Sequence, residues 1–163
     1  MVRVSIELVM INIRLRGILA TVLLTLISVS FAVSGEEWQT DYEMALKQAK
    51  TEHKKIFLNF TGSDWCVRCM SLKRRVFHQP KFMQFANQHL VLVEVDFPRN
   101  KPLQRITQMQ NEQLRRKYHV KAFPTLVLLD CYGSKLGERI GYMEESVEEI
   151  VQWINMLISG GKN

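Results

Sequence analysis

The chain is 163 residues long, 47% hydrophobic and 23% charged, with formal charge +6. These figures exclude a disordered tract and a multi-span membrane protein, and favour one compact domain. Three Cys and eight Gly exclude a disulfide-stapled mini-protein and a collagen-like repeat.

Residues 1 to 34 read as a targeting segment outside the fold. The stretch Gly17 to Val33 is uncharged and mostly apolar, with Arg14 and Arg16 before it and Glu36 and Glu37 after. Such a segment is a signal peptide, cleaved after Ala32 or Ser34, or an N-terminal anchor retained through residues 17 to 33. Either outcome exports the remaining domain, residues 35 to 163, to the periplasm or beyond. Removing Arg3, Arg14, Arg16 and Glu7 leaves 19 basic and 15 acidic residues, net +4. No basic run interleaved with aromatics remains, so nucleic acid is not an expected partner.

The exported part is long enough to build a core without staples, which frees its cysteines for chemistry. Thr40 and Glu43 fit a capping box, and Trp38, Tyr42, Leu46 and Ala49 follow at helical spacing, predicting a helix to about His53. Lys55 to Phe60 reads as a buried strand. Thr61-Gly62-Ser63-Asp64 turns the chain into Trp65-Cys66-Val67-Arg68-Cys69, where a helix begins with Cys69, Leu72 and Val76 on one face. Pro80 opens a further helical stretch. Leu90 to Val95 is the second strand, 96 to 109 reads as irregular, and a polar helix follows from Asn111 to Tyr118. Leu126 to Leu129 and Leu136 to Tyr142 make an antiparallel hairpin. Ser146 with Glu149 caps a closing helix whose stripe is Val147, Ile150, Val151, Ile154 and Ile158. This alternation predicts an α/β fold with helices on both faces of a sheet.

Cys66 and Cys69 are three residues apart, a spacing that lets two sulfurs form and break one disulfide with little backbone movement. Their position at a helix start matters more. Unsatisfied N–H groups and the positive end of the helix dipole stabilise a thiolate there, lowering the Cys66 pKa from its ordinary value of about 8.5. Arg68 adds a cation of the right sign. Cys66 is therefore the candidate nucleophile and Cys69, one turn further in, the resolving thiol. Structural zinc would need four ligands, with only Cys131 and four scattered His to complete the set. A permanent disulfide closing so short a loop would constrain the domain little. Two other classes stay open: copper(I) held by Cys66, Cys69 and His78 during assembly of an exported copper enzyme, and a chaperone-like domain with incidental cysteines. Cys131 is an expected bystander thiol.

Phe60-Thr61-Gly62-Ser63-Asp64-Trp65-Cys66-Val67-Arg68-Cys69, with Phe123-Pro124-Thr125 much further along the chain, resembles the thioredoxin superfamily over essentially the whole exported domain. The Asp64 to Cys69 run is most similar to exported disulfide-reducing members, the C-terminal domain of DsbD and the DsbH-type proteins. The resemblance implies a thioredoxin-like fold with a central mixed sheet and a thiol-disulfide oxidoreductase acting on protein disulfides, reduction being favoured over oxidation or isomerisation. It implies a membrane electron donor of DsbD type and no cofactor or metal besides the Cys66–Cys69 disulfide. It also implies a cis Pro124 facing the Cys66 sulfur, with the backbone beside Phe123 open to a substrate strand and Thr125 following. Trp65 would shield the dithiol and offer it an apolar contact. Asn59 stands where the family carries a buried Asp, so the Cys69 proton must leave through water or another group such as Asp64.

Overall fold

A computed structural model describes residues 38–160. The targeting segment and its residues 17 to 33 lie outside the described residues. Among the described residues four strands and five helices alternate: α1 Tyr42–Glu52, β1 Lys55–Thr61, α2 Val67–Leu72, α3 Pro80–His89, β2 Leu90–Asp96, α4 Arg105–Lys117, β3 Thr125–Leu129, β4 Lys135–Ile140 and α5 Val147–Gly160. The sheet order is β2-β1-β3-β4. β1 pairs parallel with β2 and antiparallel with β3, and β3 pairs antiparallel with β4, so the sheet is mixed.

Side chains on β1 alternate between the two faces, and each face is sealed by its own helices. Ile56, Leu58 and Phe60 pack with Ala45 and Ala49 of α1 and Leu114 of α4. Phe57 points the other way, to Leu72 of α2, Phe82 of α3 and Ile150 of α5. Helices therefore cover both faces, as the alternation predicts.

Three local expectations change. Asp41, not Thr40, caps α1: its carboxylate accepts the Met44 N–H at 3.0 Å. Trp38 lies outside the helix, its ring 5.0 Å from Phe77. Gln110 explains the shift, because its side chain donates to Thr40 O at 2.8 Å and accepts the Tyr42 N–H at 2.9 Å. The stretch before Asn111 is not irregular throughout, since α4 starts at Arg105. Finally, α2 runs into a π-helical turn over Lys73–Phe77. Val76 and Phe77 are adjacent in sequence and both are buried, and the wider turn lets both reach the core. At the closing helix the capping box forms as read: Ser146 N–H donates to the Glu149 carboxylate at 2.7 Å, and Glu149 N–H to Ser146 Oγ at 3.2 Å.

Candidate active site

The carboxyl end of β1 delivers the chain through a tight turn to the start of α2. Gly62 suits this turn because a Cβ there would come within 2.4 Å of the Trp65 ring. Asp96 at the end of β2 anchors the turn, accepting Ser63 N–H at 2.8 Å and Ser63 Oγ–H at 2.6 Å. Cys66 then occupies the N-cap of α2 with extended backbone, and its Sγ accepts the Cys69 N–H at 3.2 Å. A sulfur thus takes the place that Ser or Asp fills at ordinary helix starts. Cys66 and Cys69 are joined in a disulfide with their Cα atoms 5.2 Å apart. Both residues are buried, 7% and 4% exposed, so the expected contrast in burial between them is narrow in this oxidised form.

Trp65 is no plain core aromatic. It is half-buried, its Nε1–H donates to Phe97 O at 2.8 Å, and the Arg99 guanidinium lies 3.9 Å over its ring. Its edge meets Phe123 at 5.8 Å between centroids, and Phe123 in turn stacks on Phe97 at 5.2 Å. These contacts bring the Phe123-Pro124 segment beside the cysteine turn. The Phe123–Pro124 peptide is cis, as the resemblance implies. Pro124 O accepts the Gly141 N–H at 2.7 Å, and buried Thr125 donates its Oγ1–H to Ala122 O at 2.7 Å, pinning the turn. Among the described residues the Phe123 backbone N–H and C=O pair with no other group.

Arg68 is exposed on the first turn of α2. Its Nη1 reaches Tyr142 O at 3.5 Å and Met143 Sδ at 3.4 Å, so the guanidinium leans toward the 141–145 loop. That loop is held by Glu145, which accepts from Met143 N–H at 2.7 Å and from Arg139 at 3.0 and 3.1 Å. Burial pushes the Glu145 carboxyl up, but N–H donors and the Arg139 charge outweigh it and keep the group below its ordinary range.

Two candidate proton carriers part company here. Asp64 is committed elsewhere: its carboxylate accepts the backbone N–H of Arg99 at 3.0 Å and of Asn100 at 2.6 Å. Those bonds, the Arg99 one foremost, hold it ionised below the ordinary carboxylate range, which makes it a loop anchor. Asn59 shares the sheet face of Phe57, is 3% exposed, and its Oδ1 is buried without a hydrogen-bond partner. Its register partner Glu94 is paired to Lys73 Nζ at 2.9 Å.

His78 follows the π-turn, on the wall of a surface cavity it shares with Trp38, Met83 and Glu94. Nine residues along a helix separate it from Cys69 by about 13 Å, so the structure does not bring His78 to the sulfurs. Among the described residues no cluster of three or more His, Cys, Asp or Glu is arranged to hold a metal. Sequence reasoning missed Phe97, Arg99 and Asp96, which contact Trp65, Phe123 and Ser63 from distant parts of the chain and leave no local signal.

Comparison with known proteins joins this geometry to a lineage. The family model of the thioredoxin-like domain matches residues 42–158. The chain belongs to the thioredoxin-like family. It is 38% identical over 111 residues to the disulfide bond reductase DsbH of Chlamydia pneumoniae, covering 68% of this chain and 66% of that protein. It is 27% identical over 114 residues to the thioredoxin-related protein DsbJ of the same organism, covering 64% of this chain and 33% of DsbJ. The match to DsbD of Actinobacillus pleuropneumoniae, 26% over 131 residues, covers 79% of this chain and 21% of that one. The chain thus spans just under two thirds of DsbH and a third or less of the other two. A solved DsbH oxidoreductase superposes with TM-score 0.70 at 31% identity, covering 80% of this chain and 90% of that one. This domain is DsbH- and DsbD-like, with its two motif cysteines at disulfide distance.

Proposed function

We infer that the protein is an exported thiol-disulfide oxidoreductase that reduces disulfides in other polypeptides. The observation that carries the exchange chemistry is the Cys66 sulfur acting as N-cap of α2 while disulfide-bonded to Cys69, and the similarity to the disulfide bond reductase DsbH favours reduction as its direction. In the reduced protein the same site favours a thiolate, because the cap N–H and the helix dipole stabilise negative charge there. The Cys66 thiolate attacks one sulfur of a substrate disulfide. That bond breaks, its other sulfur leaves as a thiolate and takes a proton from solvent, and Cys66 is left in a mixed disulfide. Cys69, losing its proton to water, attacks the Cys66 sulfur, which restores the internal disulfide and frees the second substrate thiol. Two electrons pass from the protein to the substrate, and no cofactor beyond the dithiol is required.

Phe123, Pro124 and Thr125 supply the docking edge. A substrate segment in extended conformation pairs with the free backbone groups of Phe123 without having its sequence read. Trp65 closes one side of the dithiol, and the Arg68 charge on the first turn of α2 adds to the field that favours the thiolate. Returning the protein to its reduced form needs a dithiol donor, for which a membrane protein of DsbD type fits an exported domain. The N-terminal segment delivers the domain to the periplasm, cleaved or retained as an anchor. The decisive measurement is the reduction potential against glutathione. A value near about -270 mV is expected of a reductase, and one near about -120 mV would overturn the direction in favour of an oxidase.

A further inference from the structure

Two arginines from separate parts of the chain flank the disulfide motif, the Arg99 guanidinium over Trp65 and that of Arg68 turned toward Tyr142 O and Met143 Sδ. Arg68 stands between the cysteines in sequence, and Arg99 comes from the loop after β2 to lie over Trp65. Neither forms an ion pair with a carboxylate among the described residues, which is also true of Arg74 and Arg105, whereas Arg75, Arg115, Arg116 and Arg139 do. Lys101 and Lys121 are exposed on the two segments that frame Trp65 and Phe123; the Lys101 charge acts on the Asp64 carboxylate, and Lys121 forms no ion pair among the described residues. Of the nearby acids Glu144 is paired with Arg75 and Glu145 with Arg139, while Asp64 and Asp96 accept only from neutral N–H and O–H donors, so the four cations face two carboxylates whose charge no ion pair offsets.

Arg99 is held in place as well as charged. Asp64 fixes its backbone, and the Trp65 ring supports one face of its guanidinium. Stacking leaves the in-plane N–H donors of the fork free for a carboxylate. A guanidinium so placed forfeits less side-chain entropy on binding than a free one.

We propose that this rim selects disulfides carried on acidic segments, with an Asp or Glu two or three positions from the substrate cysteine. The inference rests on the oxidoreductase reading and names the class of substrate for the same site. Extended chain rises about 3.3 Å per residue, so a carboxylate at that spacing lies within one Debye length, about 10 Å, of the cystine sulfur at moderate salt. Charge at a rim acts chiefly on encounter, which makes the preference salt-dependent.

The test uses the full chain, reduced with dithiothreitol and freed of it, against three cystine peptides of equal length flanked by Glu, Gln or Lys. The second-order rate constant for release of peptide thiol is read for each. At low salt the Glu peptide is expected to react about tenfold faster than the Gln peptide and the Lys peptide slower than both, with the spread closing as ionic strength rises to about 0.5 M. In Arg99→Gln the Glu-to-Gln ratio is expected to fall to about threefold, and Arg99→Lys to keep most of it. A Glu-to-Gln ratio near one at low salt in the unaltered protein overturns the proposal while leaving the oxidoreductase reading intact. A tenfold ratio unmoved by both salt and Arg99→Gln also overturns it, since the preference then comes from elsewhere. Reduction of none of the three peptides overturns both.

Discussion

The two faces of the sheet are built to different standards. On the side of α1 and α4 the polar groups are paired: Tyr42 and Tyr118 share a hydrogen bond at 3.1 Å, Tyr118 Oη–H donates to Gly133 O at 3.2 Å, and Asn111 donates to Asp96 O at 2.9 Å. Fully buried Ala45 and Ala49 let α1 approach closely. The opposite side carries the motif helix, and the irregularities gather there: a π-turn, a buried unpaired amide oxygen at Asn59, and the Lys73–Glu94 pair at the edge of an aromatic cluster. Buried polar groups without partners cost about 1–3 kcal/mol each. That cost falls on the face that holds the disulfide, which fits a sheet whose one side is for stability and whose other side is for chemistry.

The sharpest way to break this contrast is to treat the sulfurs on the two faces alike. Cys66→Ser is expected to lower disulfide reduction by at least about a thousandfold, because a hydroxyl at the N-cap cannot form the mixed disulfide. Cys131 packs against the α1 and α4 side as the free cysteine of the described residues, and Cys131→Ser is expected to stay within about twofold of the unaltered rate. Cys69→Ala sharpens the same point, since it should accumulate mixed disulfides through Cys66 that mass spectrometry resolves. If Cys131→Ser and Cys66→Ser lose activity equally, chemistry is not confined to one face.

The next effect is on packing. Phe77 is 1% exposed and its ring meets Trp38, Phe57 and Phe82 at 5.0 to 5.9 Å. Phe77→Ala is expected to cost about 3–5 kcal/mol in urea unfolding. Asn59→Leu goes the other way. Removing an unpaired buried oxygen is expected to raise stability by about 1 kcal/mol with an unchanged denaturant slope. A loss of about 2 kcal/mol or more in Asn59→Leu would mean that the amide is satisfied after all, and the contrast between faces would weaken.

Much of this was readable beforehand, and the rest was hidden for identifiable reasons. Short continuous apolar runs locate β1, β2 and β3, and a period-3.6 stripe locates α5, to within a residue or two, because burial decides those segments. The Trp65 to Cys69 run and Phe123-Pro124-Thr125 locate the site, because their local chemistry needs few distant partners. What escaped depends on long-range contacts. The start of α1 is set by Gln110, far along the chain, which takes Thr40 O and leaves the cap to Asp41. The polar helix α4 begins well before Asn111, since its first two turns present Ile106 and Met109 to solvent and carry no periodic apolar signal. Arg99 is invisible in sequence as a neighbour of Trp65, since no local pattern pairs residues so widely separated.

The smallest expected effect tests the quiet face by pH. Burial, and then the hydrogen bond with Tyr42, push the Tyr118 phenol well above its ordinary value, so the folded protein keeps that proton where the unfolded chain gives it up. The unfolded phenol titrates near pH 10, so the contribution of Tyr118 is fully present below about pH 10 and is lost as pH rises beyond it, by about 1.4 kcal/mol per pH unit. Tyr118→Phe removes the bonds to Tyr42 and Gly133, at an expected cost of about 1 kcal/mol at neutral pH. It also removes the titration. The stabilities of Tyr118→Phe and the unaltered protein should therefore converge above pH 10 and meet near pH 11, with every other tyrosine common to both. Parallel curves from pH 7 to 11 in urea titrations would show that the phenol is not held neutral by the fold, and that the α1 and α4 side tolerates a buried charge.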